Sequence, residues 1–176
     1  MYHQTKHIIA MIKNILIPTD FTVESLNLVK SFLRQKKEDF TCNIILLHGT
    51  SMSDSITDLL FFSKSRLIDS LSNKAFDEAC DIIRNKYDSQ VNIIKKDIFT
   101  GKTEAAFDHF IAANKIVEAY IPTEYVSSKV NQNGIDIIPF IKKSSLNVRE
   151  VKWRSAEAVP EKGKLAEVFF NHAVLE

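Results

Sequence analysis

Two acidic residues stand at matching places in the sequence, each directly after an apolar run that ends in Ile-Pro-Thr. Asp20 follows one such tripeptide at 17–19, and Glu124 follows the other at 121–123. If the two runs are neighbouring parallel strands, their carboxylates face the crevice at the carboxyl edge of the sheet. Paired carboxylates can carry out general acid–base chemistry. Capping of the following helix by Asp20 and solvation of Glu124 explain the same residues more simply, and we favour that interpretation.

His48 is the other candidate for acid–base work, because it ends a second apolar run at 41–47. A packed or solvent-facing histidine at a strand end is the commoner case, and we favour it. Cys42 and Cys80 are too far apart for a CxxC pair, and no cluster of histidine and cysteine accompanies them. The sequence therefore predicts neither a metal site nor a disulfide framework, and both thiols are expected to be buried.

Sequence motifs that mark catalytic sites are absent. The chain has no phosphate-binding P-loop, no G-x-G-x-x-G, no G-x-S-x-G and no H-E-x-x-H. We therefore expect no catalytic residues and no enzyme activity, with a weak ATPase as the exception to be tested.

The elements that would position Asp20 form a βαβ unit. The continuous apolar run at 15–17 is typical of a strand buried on both faces, and Pro18 ends it because proline has no N–H for the ladder. Residues 23–37 predict a helix with a broadly apolar side, and Thr22 is its expected N-cap. The run at 41–47 then predicts a second parallel strand, joined by a right-handed crossover.

The stretch 57–87 contains no proline or glycine, and its apolar residues recur at helical spacing. It predicts either one long helix or two helices broken near 70–73. The dense apolar cluster at 59–62 is expected to pack in the core or in a dimer rather than to form a ligand surface, since large exposed apolar patches are uncommon in monomers.

The remaining elements continue the alternation of strand and helix. They predict an open, doubly wound, five-stranded parallel α/β sheet, followed by a C-terminal helical extension. Three segments are expected along the chain: a loose extension at 1–11, the α/β domain at 12–154, and a linker with an amphipathic helix at 155–176. The expected strands are 91–98, 116–121 and 148–153, the last at the sheet edge; the expected helices begin at Thr103 and cover 136–143 and 164–175.

Composition narrows the classes of partner. The 176 residues carry a formal charge of +1, so no overall field is expected to draw the protein to nucleic acid or to anionic lipid. No apolar stretch is long enough to span a bilayer, and the N-terminus lacks a secretory pattern. We expect a cytoplasmic protein without nucleic-acid or membrane partners.

At this point the sequence resembles a known family. Residues 13–21, Lys-Asn-Ile-Leu-Ile-Pro-Thr-Asp-Phe, are similar to the opening strand of universal stress protein (UspA-like) domains. Leu46, Leu47 and His48 at the end of the second strand, Gly101 after the third, and Ser144 and Ser145 before the last agree in place. The resemblance covers roughly residues 12–153.

The resemblance implies a Rossmann-like sheet of order 3-2-1-4-5 and a homodimer. Some members of the family bind ATP, and in those members the Asp that ends the first strand contacts adenine. That role carries over to Asp20, with Pro18 and Thr19 in the same turn. Residues that follow the fourth strand would complete the nucleotide site, namely Thr123, Ser127 and Lys129.

The glycine motif that holds the phosphates in the ATP-binding members is missing. That motif, Gly-x2-Gly-x9-Gly-Ser/Thr, follows the fourth strand, where this chain has a single glycine, Gly134, between 122 and 145. Without those glycines, Cβ atoms restrict the approach of backbone N–H groups to phosphate.

Two classes of function follow. The preferred one is a non-catalytic regulatory or stress-response domain that acts through dimerisation and an unidentified protein partner, with no cofactor. The alternative is a switch or weak ATPase that binds ATP or AMP in the crevice between strands one and four. A phosphorelay receiver shares a five-stranded doubly wound sheet, but it needs a Lys after the fifth strand that the residues at 153–155 do not supply.

Overall fold

Five parallel strands form one sheet in the order β3-β2-β1-β4-β5, with helices on both faces. The computed structural model describes residues 11–37, 40–53, 55–123 and 134–152. The strands are β1 Ile12–Pro18, β2 Thr41–Gly49, β3 Val91–Phe99, β4 Ile116–Pro122 and β5 Asn147–Val151. The helices within these ranges are α1 Leu26–Gln35, α2 Ile56–Leu60, α3 Lys64–Leu71, α4 Lys74–Lys86, α5 Glu104–Ala113 and α6 Ile138–Lys143. The predicted fold class and strand order are confirmed.

β1 occupies the centre of the sheet because it pairs in parallel with both β2 and β4. Its residues Ile15, Leu16 and Ile17 are fully buried, as a strand covered on both faces requires. The chain moves from β1 towards β3 on one side and returns to β4 on the other. The carboxyl end of β1 is therefore the point where the connections diverge, which is where open α/β sheets bind ligands.

Each face of the sheet has its own apolar core. On one face α1 and α4 cover the sheet, and Phe32 packs on Tyr120 with ring centroids 4.2 Å apart. On the other face α5 and α6 pack on the sheet through a group of phenylalanines that includes Phe99, Phe107 and Phe140. The alternation of Ile15 and Ile17 with Leu16 places side chains in both cores, which is why β1 reads as a continuous apolar run.

The stretch between β2 and β3 contains more breaks than its apolar spacing predicts. The break near 70–73 is confirmed, since Asn73 accepts a hydrogen bond from the Phe76 amide at 2.9 Å and starts α4. A second break at 61–63 was not predicted. There the Ser63 hydroxyl accepts from the Arg66 amide at 3.4 Å and starts α3. A local cap of this kind does not disturb helical spacing, so the pattern of apolar residues conceals it.

The other boundaries differ by a few residues. The regular part of α1 begins at Leu26 rather than at 23, because residues 22–28 first form a tighter turn with i→i−3 hydrogen bonds. Thr22 caps that turn, its hydroxyl accepting from the Ser25 amide at 3.2 Å. β5 lies at the sheet edge as predicted and ends at Val151. Residues 1–10 and 153–176, including Trp153, the linker and the predicted helix at 164–175, lie outside the described residues.

A buried ion cluster fastens α3 to the edge strand β3. The Asp97 carboxylate is completely buried, and the ammonium groups of Lys64 and Lys95 both contact it, the latter at 2.9 Å. The Ile98 amide also donates to Asp97 at 2.8 Å. Burial by itself would raise the pKa of Asp97, but the hydrogen bonds from Lys64 and Lys95 outweigh it and hold that pKa below its ordinary value. Leu67, Ile68 and Leu71 of α3 also pack against the core on the α1 face, so the ion cluster adds a polar attachment to an apolar one.

We predict that Asp97→Asn lowers the free energy of unfolding by about 1–3 kcal/mol at neutral pH. We do not expect a larger loss of stability, because the side chains of Lys64 and Lys95 are 48% and 50% exposed and water screens their attraction to Asp97. The pKa of Asp97 is lower in the folded state than in the unfolded state. Its ionised carboxylate therefore contributes its full stabilisation at pH values above the unfolded-state pKa. The contribution then disappears as the pH falls from about 4 through the lowered pKa. Urea unfolding at pH 7 and at pH 3 measures both effects.

The matched control is Asp77→Asn. Asp77 is exposed and pairs with Lys96 at 2.7 Å, so its loss should cost under about 1 kcal/mol. Equal effects of the two substitutions at pH 7 would show that the Asp97 cluster does not anchor α3.

Candidate functional site

The turn after β1 is built by short side-chain hydrogen bonds. One carboxylate oxygen of Asp20 accepts from the Thr22 amide at 3.0 Å and from the Thr22 hydroxyl at 2.6 Å. The Thr19 hydroxyl accepts from the Phe21 amide at 2.9 Å and lies 2.8 Å from the Ser25 hydroxyl. Asp20 thus caps the turn that leads into α1, as the simpler of the two sequence interpretations holds.

Phe21 holds this turn against the core. Its φ of 59° lies in the left-handed region, which bulky residues seldom adopt. The side chain is 1% exposed, and its ring packs on His48 and on Phe76, each with centroids 5.5 Å apart. Tertiary packing therefore stabilises a backbone conformation that is intrinsically unfavourable for a phenylalanine.

His48 fixes the turn from the neighbouring strand. Its Nδ1 lies 3.0 Å from the Thr19 carbonyl oxygen, so Nδ1 carries the proton and donates it to that bond. The ring is 8% exposed, which agrees with the packed histidine that the sequence favoured over a general base. The Thr19 amide donates in turn to the Leu47 carbonyl at 3.0 Å, so β2 holds Thr19 through two bonds.

A second segment docks on the carboxyl end of β2. The Gly49 carbonyl accepts from the Ile135 amide at 2.9 Å, and Thr50 forms an antiparallel bridge with Gly134. A Cβ atom on Gly49 would lie 2.5 Å from Cγ2 of Ile137 and would also collide with the Ile135 carbonyl oxygen. Glycine is therefore required here for the close approach of two backbones.

The chain leaves the sheet at Thr123 and is described again from Gly134. The Thr123 amide donates to the Val151 carbonyl at 3.0 Å, which places Thr123 at the end of β4. Gly134 pairs at the end of β2, and both β4 and β2 are neighbours of β1. The two anchors of the connection 124–133 thus lie on either side of the Asp20 turn.

Four of the six predicted nucleotide-binding residues fall in the described part of the chain. Pro18 is buried at the end of β1, while Thr19 and Asp20 are half-buried in the turn that follows. Thr123 is exposed at the end of the adjacent strand β4. Ser127 and Lys129, together with Glu124, lie outside the described residues, so their place in the site stays a prediction.

Sequence reasoning missed Phe21 and Gly49 as parts of this site. Gly49 could have been noticed, since a glycine directly after a long buried strand often marks a close approach of backbones. The left-handed conformation of Phe21 has no sequence signal, because phenylalanine does not favour it.

The two cysteines are not reactive groups. Burial raises the pKa of Cys42 to about 11 and that of Cys80 to about 12, so both are protonated at neutral pH. Cys42 is fully buried as predicted and Cys80 half-buried, and neither forms a disulfide. Within the described ranges no three histidine, cysteine or acidic side chains come together as metal ligands, and no helix there has the length and apolar character to cross a membrane.

A cluster of exposed apolar side chains, here called the α2 patch, lies on α2 and on the turn after it. It follows the end of β2 by a few residues along the chain. The prediction that the apolar residues at 59–62 pack in the core is wrong, because their side chains are exposed in the single chain. Their packing in a dimer stays a prediction. The patch comprises Ile56 (76% exposed), Leu59 (47%), Leu60 (77%), Phe61 (78%) and Phe62 (39%).

Comparison with solved structures extends these observations. A protein described as hypothetical protein PH0823 superposes with a TM-score of 0.51 at 16% identity, over 84% of this chain and 100% of the other. Five parallel strands in this order, with helices on both faces, are the UspA-like arrangement. The chain has the UspA-like fold. The predicted resemblance is thus confirmed at the level of the fold.

Two structures described as universal stress proteins are similar at lower scores. Universal stress protein UspA from Lactobacillus plantarum gives a TM-score of 0.47 at 14% identity, over 80% of this chain and 97% of the other. A universal stress protein family protein from Arabidopsis thaliana with AMP bound gives 0.43 at 15% identity, over 88% and 98%. No protein-family model matches the sequence, and no curated protein matches it.

We predict that Gly49→Ala lowers the free energy of unfolding by about 1–3 kcal/mol, the range expected for overpacking. The added methyl group collides with backbone as well as side chain, so the segment at 134–137 must shift. Hydrogen exchange at the Ile135 amide, which donates to Gly49, should rise more than exchange in the core of β1.

The control is Ile137→Ala, made alone and together with Gly49→Ala. It removes Cγ2 of Ile137 and therefore only the side-chain part of the collision, because the Ile135 carbonyl belongs to the backbone. If Gly49→Ala costs nothing in the Ile137→Ala background, or nothing by itself, the backbone contact is contradicted.

Proposed function

We propose that this chain is a non-catalytic regulatory domain of the universal stress protein type, which acts by self-association and by binding a protein partner. The observation that carries the proposal is the α2 patch. Five large apolar residues stand together on one short helix and its following turn, and each is at least 39% exposed. Burying a fully exposed side chain of this size stabilises an assembly by about 1.5–3 kcal/mol, and each of these five contributes the part of that value that matches its exposed fraction.

The occupant of the patch that we propose is a second copy of this chain. Two copies related by a two-fold axis bring the same patch together, so an apolar surface complements itself without a second kind of surface. The formal charge of +1 offers little repulsion between copies. The Asp97 cluster holds the start of α3 directly after the patch, so the patch is presented on an anchored segment.

We predict that the protein is a dimer at tens of micromolar and that Leu60→Glu with Phe61→Glu makes it monomeric. Two apolar contacts worth about 1.5–3 kcal/mol each are removed, and two charges are introduced into the interface. Sedimentation velocity over a concentration series measures the dissociation constant.

Ile93→Glu is the matched control. Ile93 is 46% exposed on the edge strand β3, so the same chemical change is made at an apolar residue outside the patch. A dimer that survives the α2 substitutions, or that is lost equally with Ile93→Glu, would place the interface elsewhere, for example at the edge strand β5. A monomer in the parent protein at this concentration would reject self-association altogether.

Adenine nucleotide binding in the crevice is the second candidate function. The feature that favours it is the turn at 19–22, which Thr22, His48 and Phe21 hold in a fixed conformation at the carboxyl end of β1. A preorganised turn at this place lowers the entropy that a ligand must remove. The missing glycines count against phosphate binding, so a ligand with fewer phosphates is penalised less.

We predict that ATP with Mg²⁺ binds with a dissociation constant weaker than about 10 μM and is not turned over. One adenine contact contributes only about 0.5–1.5 kcal/mol, and the charge-assisted bonds to phosphate are lost with the glycine motif. AMP, which is bound in the Arabidopsis thaliana structure, is the second ligand for titration calorimetry.

Two substitutions at Asp20 separate binding from folding of the turn. Asp20→Asn keeps an acceptor for the Thr22 amide, whereas Asp20→Ala removes it. Tight ATP binding in the parent that both substitutions abolish would show that the missing glycines are not decisive. Tight binding that neither changes would move the nucleotide away from this turn.

A further inference from the structure

One buried side chain joins the turn at 19–22 to the segment that carries the α2 patch. The ring of Phe21 packs on His48, near the end of β2, and on Phe76, in the first turn of α4, with centroids 5.5 Å apart in each pair. The chain between His48 and Phe76 contains α2, the patch and α3. The segment that presents the patch therefore leaves the core and returns to it at the same aromatic ring.

The helix that follows the patch rests on the same core. The half-buried residues Leu67, Ile68 and Leu71 of α3 pack against the buried cluster that contains Phe21 and Phe76. Protein cores are densely packed, so a ring that leaves its position removes contacts from the side chains next to it. The position of the Phe21 ring is therefore part of what supports α3.

Polar contacts on the crevice side fix the backbone of the same residue. The Thr22 hydroxyl donates to Asp20 at 2.6 Å and accepts from the Ser25 amide at 3.2 Å, so it links the residues on either side of Phe21. The φ of Phe21 is 59°, which is costly for a bulky residue. This conformation needs both the polar contacts of the turn and the packing of the ring.

We propose that Phe21 couples the crevice to the α2 patch through two conformations of the turn. In the first, Thr22 closes the turn, the ring lies between His48 and Phe76, and α3 is fully supported. In the second, the backbone of Phe21 relaxes, the ring withdraws, and α3 with the patch loses order. A contact at the crevice that favours the first conformation therefore favours self-association. The consequence for self-association rests on the proposed function of the patch, whereas the coupling is a property of the single chain.

Hydrogen exchange of the full chain measures the coupling. The amides of Leu67 and Ser72 report on α3, because each donates to a carbonyl four residues earlier in the chain. Thr22→Val keeps the shape of an exposed side chain but removes its hydroxyl. We expect exchange at both α3 amides to rise at least about threefold, the effect of losing a modest helix cap. The background is Leu60→Glu with Phe61→Glu, so that self-association through the patch does not contribute.

Thr103→Val is the matched control. The Thr103 hydroxyl caps α5 by accepting from the Ala106 amide at 3.2 Å, so the same chemical change is made at an exposed threonine that starts a helix on the other face of the sheet. It should raise exchange at the Phe107 amide, which donates to the Thr103 carbonyl, and leave the α3 amides unchanged. Equal changes in α3 from the two substitutions would overturn the proposal, as would no change from Thr22→Val.

A double substitution tests whether Phe21 carries the effect. Phe21→Leu removes the ring contacts and should raise exchange in α3 more than Phe107→Leu, which changes an equally buried phenylalanine in the other core. If Thr22 acts through Phe21, then Thr22→Val adds little in the Phe21→Leu background. Fully additive effects, or equal effects of the two leucine substitutions on α3, would contradict coupling through Phe21. If Phe21→Leu does not fold, the two valine substitutions at exposed residues still decide the question.

Sedimentation velocity with the patch intact connects the coupling to self-association. Thr22→Val should weaken the dimer at least about threefold, whereas Thr103→Val should not change it. A dimer that Thr22→Val does not weaken, although exchange in α3 rises, would overturn the link between the crevice and the patch. A parent protein that is monomeric at tens of micromolar would reject the proposed self-association, and the exchange experiment would still decide the coupling.

Discussion

The burial of β1 on both faces is the constraint on which the rest of the structure depends. Because β1 is bonded to β2 and to β4, its residues Ile15 to Ile17 have no contact with water. The middle of such a strand must be apolar, and polar residues are confined to its two ends, here Lys13 and Asn14 at the start and Thr19 and Asp20 after Pro18. The hydrophobic burial of β1 thus fixes the position of the turn at Thr19 and Asp20, independently of the hydrogen bonds within that turn.

The turn is coupled to both neighbouring elements of the sheet. Phe21 inserts into the core beside Phe76 of α4, while His48 donates to Thr19 from β2. A change in either contact would release the left-handed conformation of Phe21 and with it the geometry around Asp20. The candidate nucleotide site is therefore a property of core packing as much as of the polar residues that line it.

The α2 patch is attached to the fold through the helix that follows it. Leu67, Ile68 and Leu71 of α3 are half-buried against the core on the α1 face, and Lys64 at the start of α3 contacts the buried Asp97 of β3. The exposed apolar residues therefore stand next to a helix that is held to the sheet by both apolar and ionic contacts.

The sequence by itself determined the order of elements and the position of the first site residues. Burial in two cores requires continuous apolar runs in β1 and β2 and helical spacing of the apolar residues between them. Such local patterns can be read directly from the order of residues in the sequence. The family resemblance added the strand order, which spacing alone does not contain. The cap at Thr103, where the hydroxyl accepts from the Ala106 amide, was equally readable as the start of a helix.

Tertiary structure alone decided which of these residues meet. The break at Ser63 is hidden in an uninterrupted apolar pattern, and the exposure of the α2 patch contradicts the burial that its hydrophobicity suggests. Asp97 reads as an ordinary strand-end acid, yet it is buried because Lys64 reaches it from a distant helix. The closeness of Gly49 to Ile135 depends on chain segments far apart in sequence, whose approach no local pattern encodes.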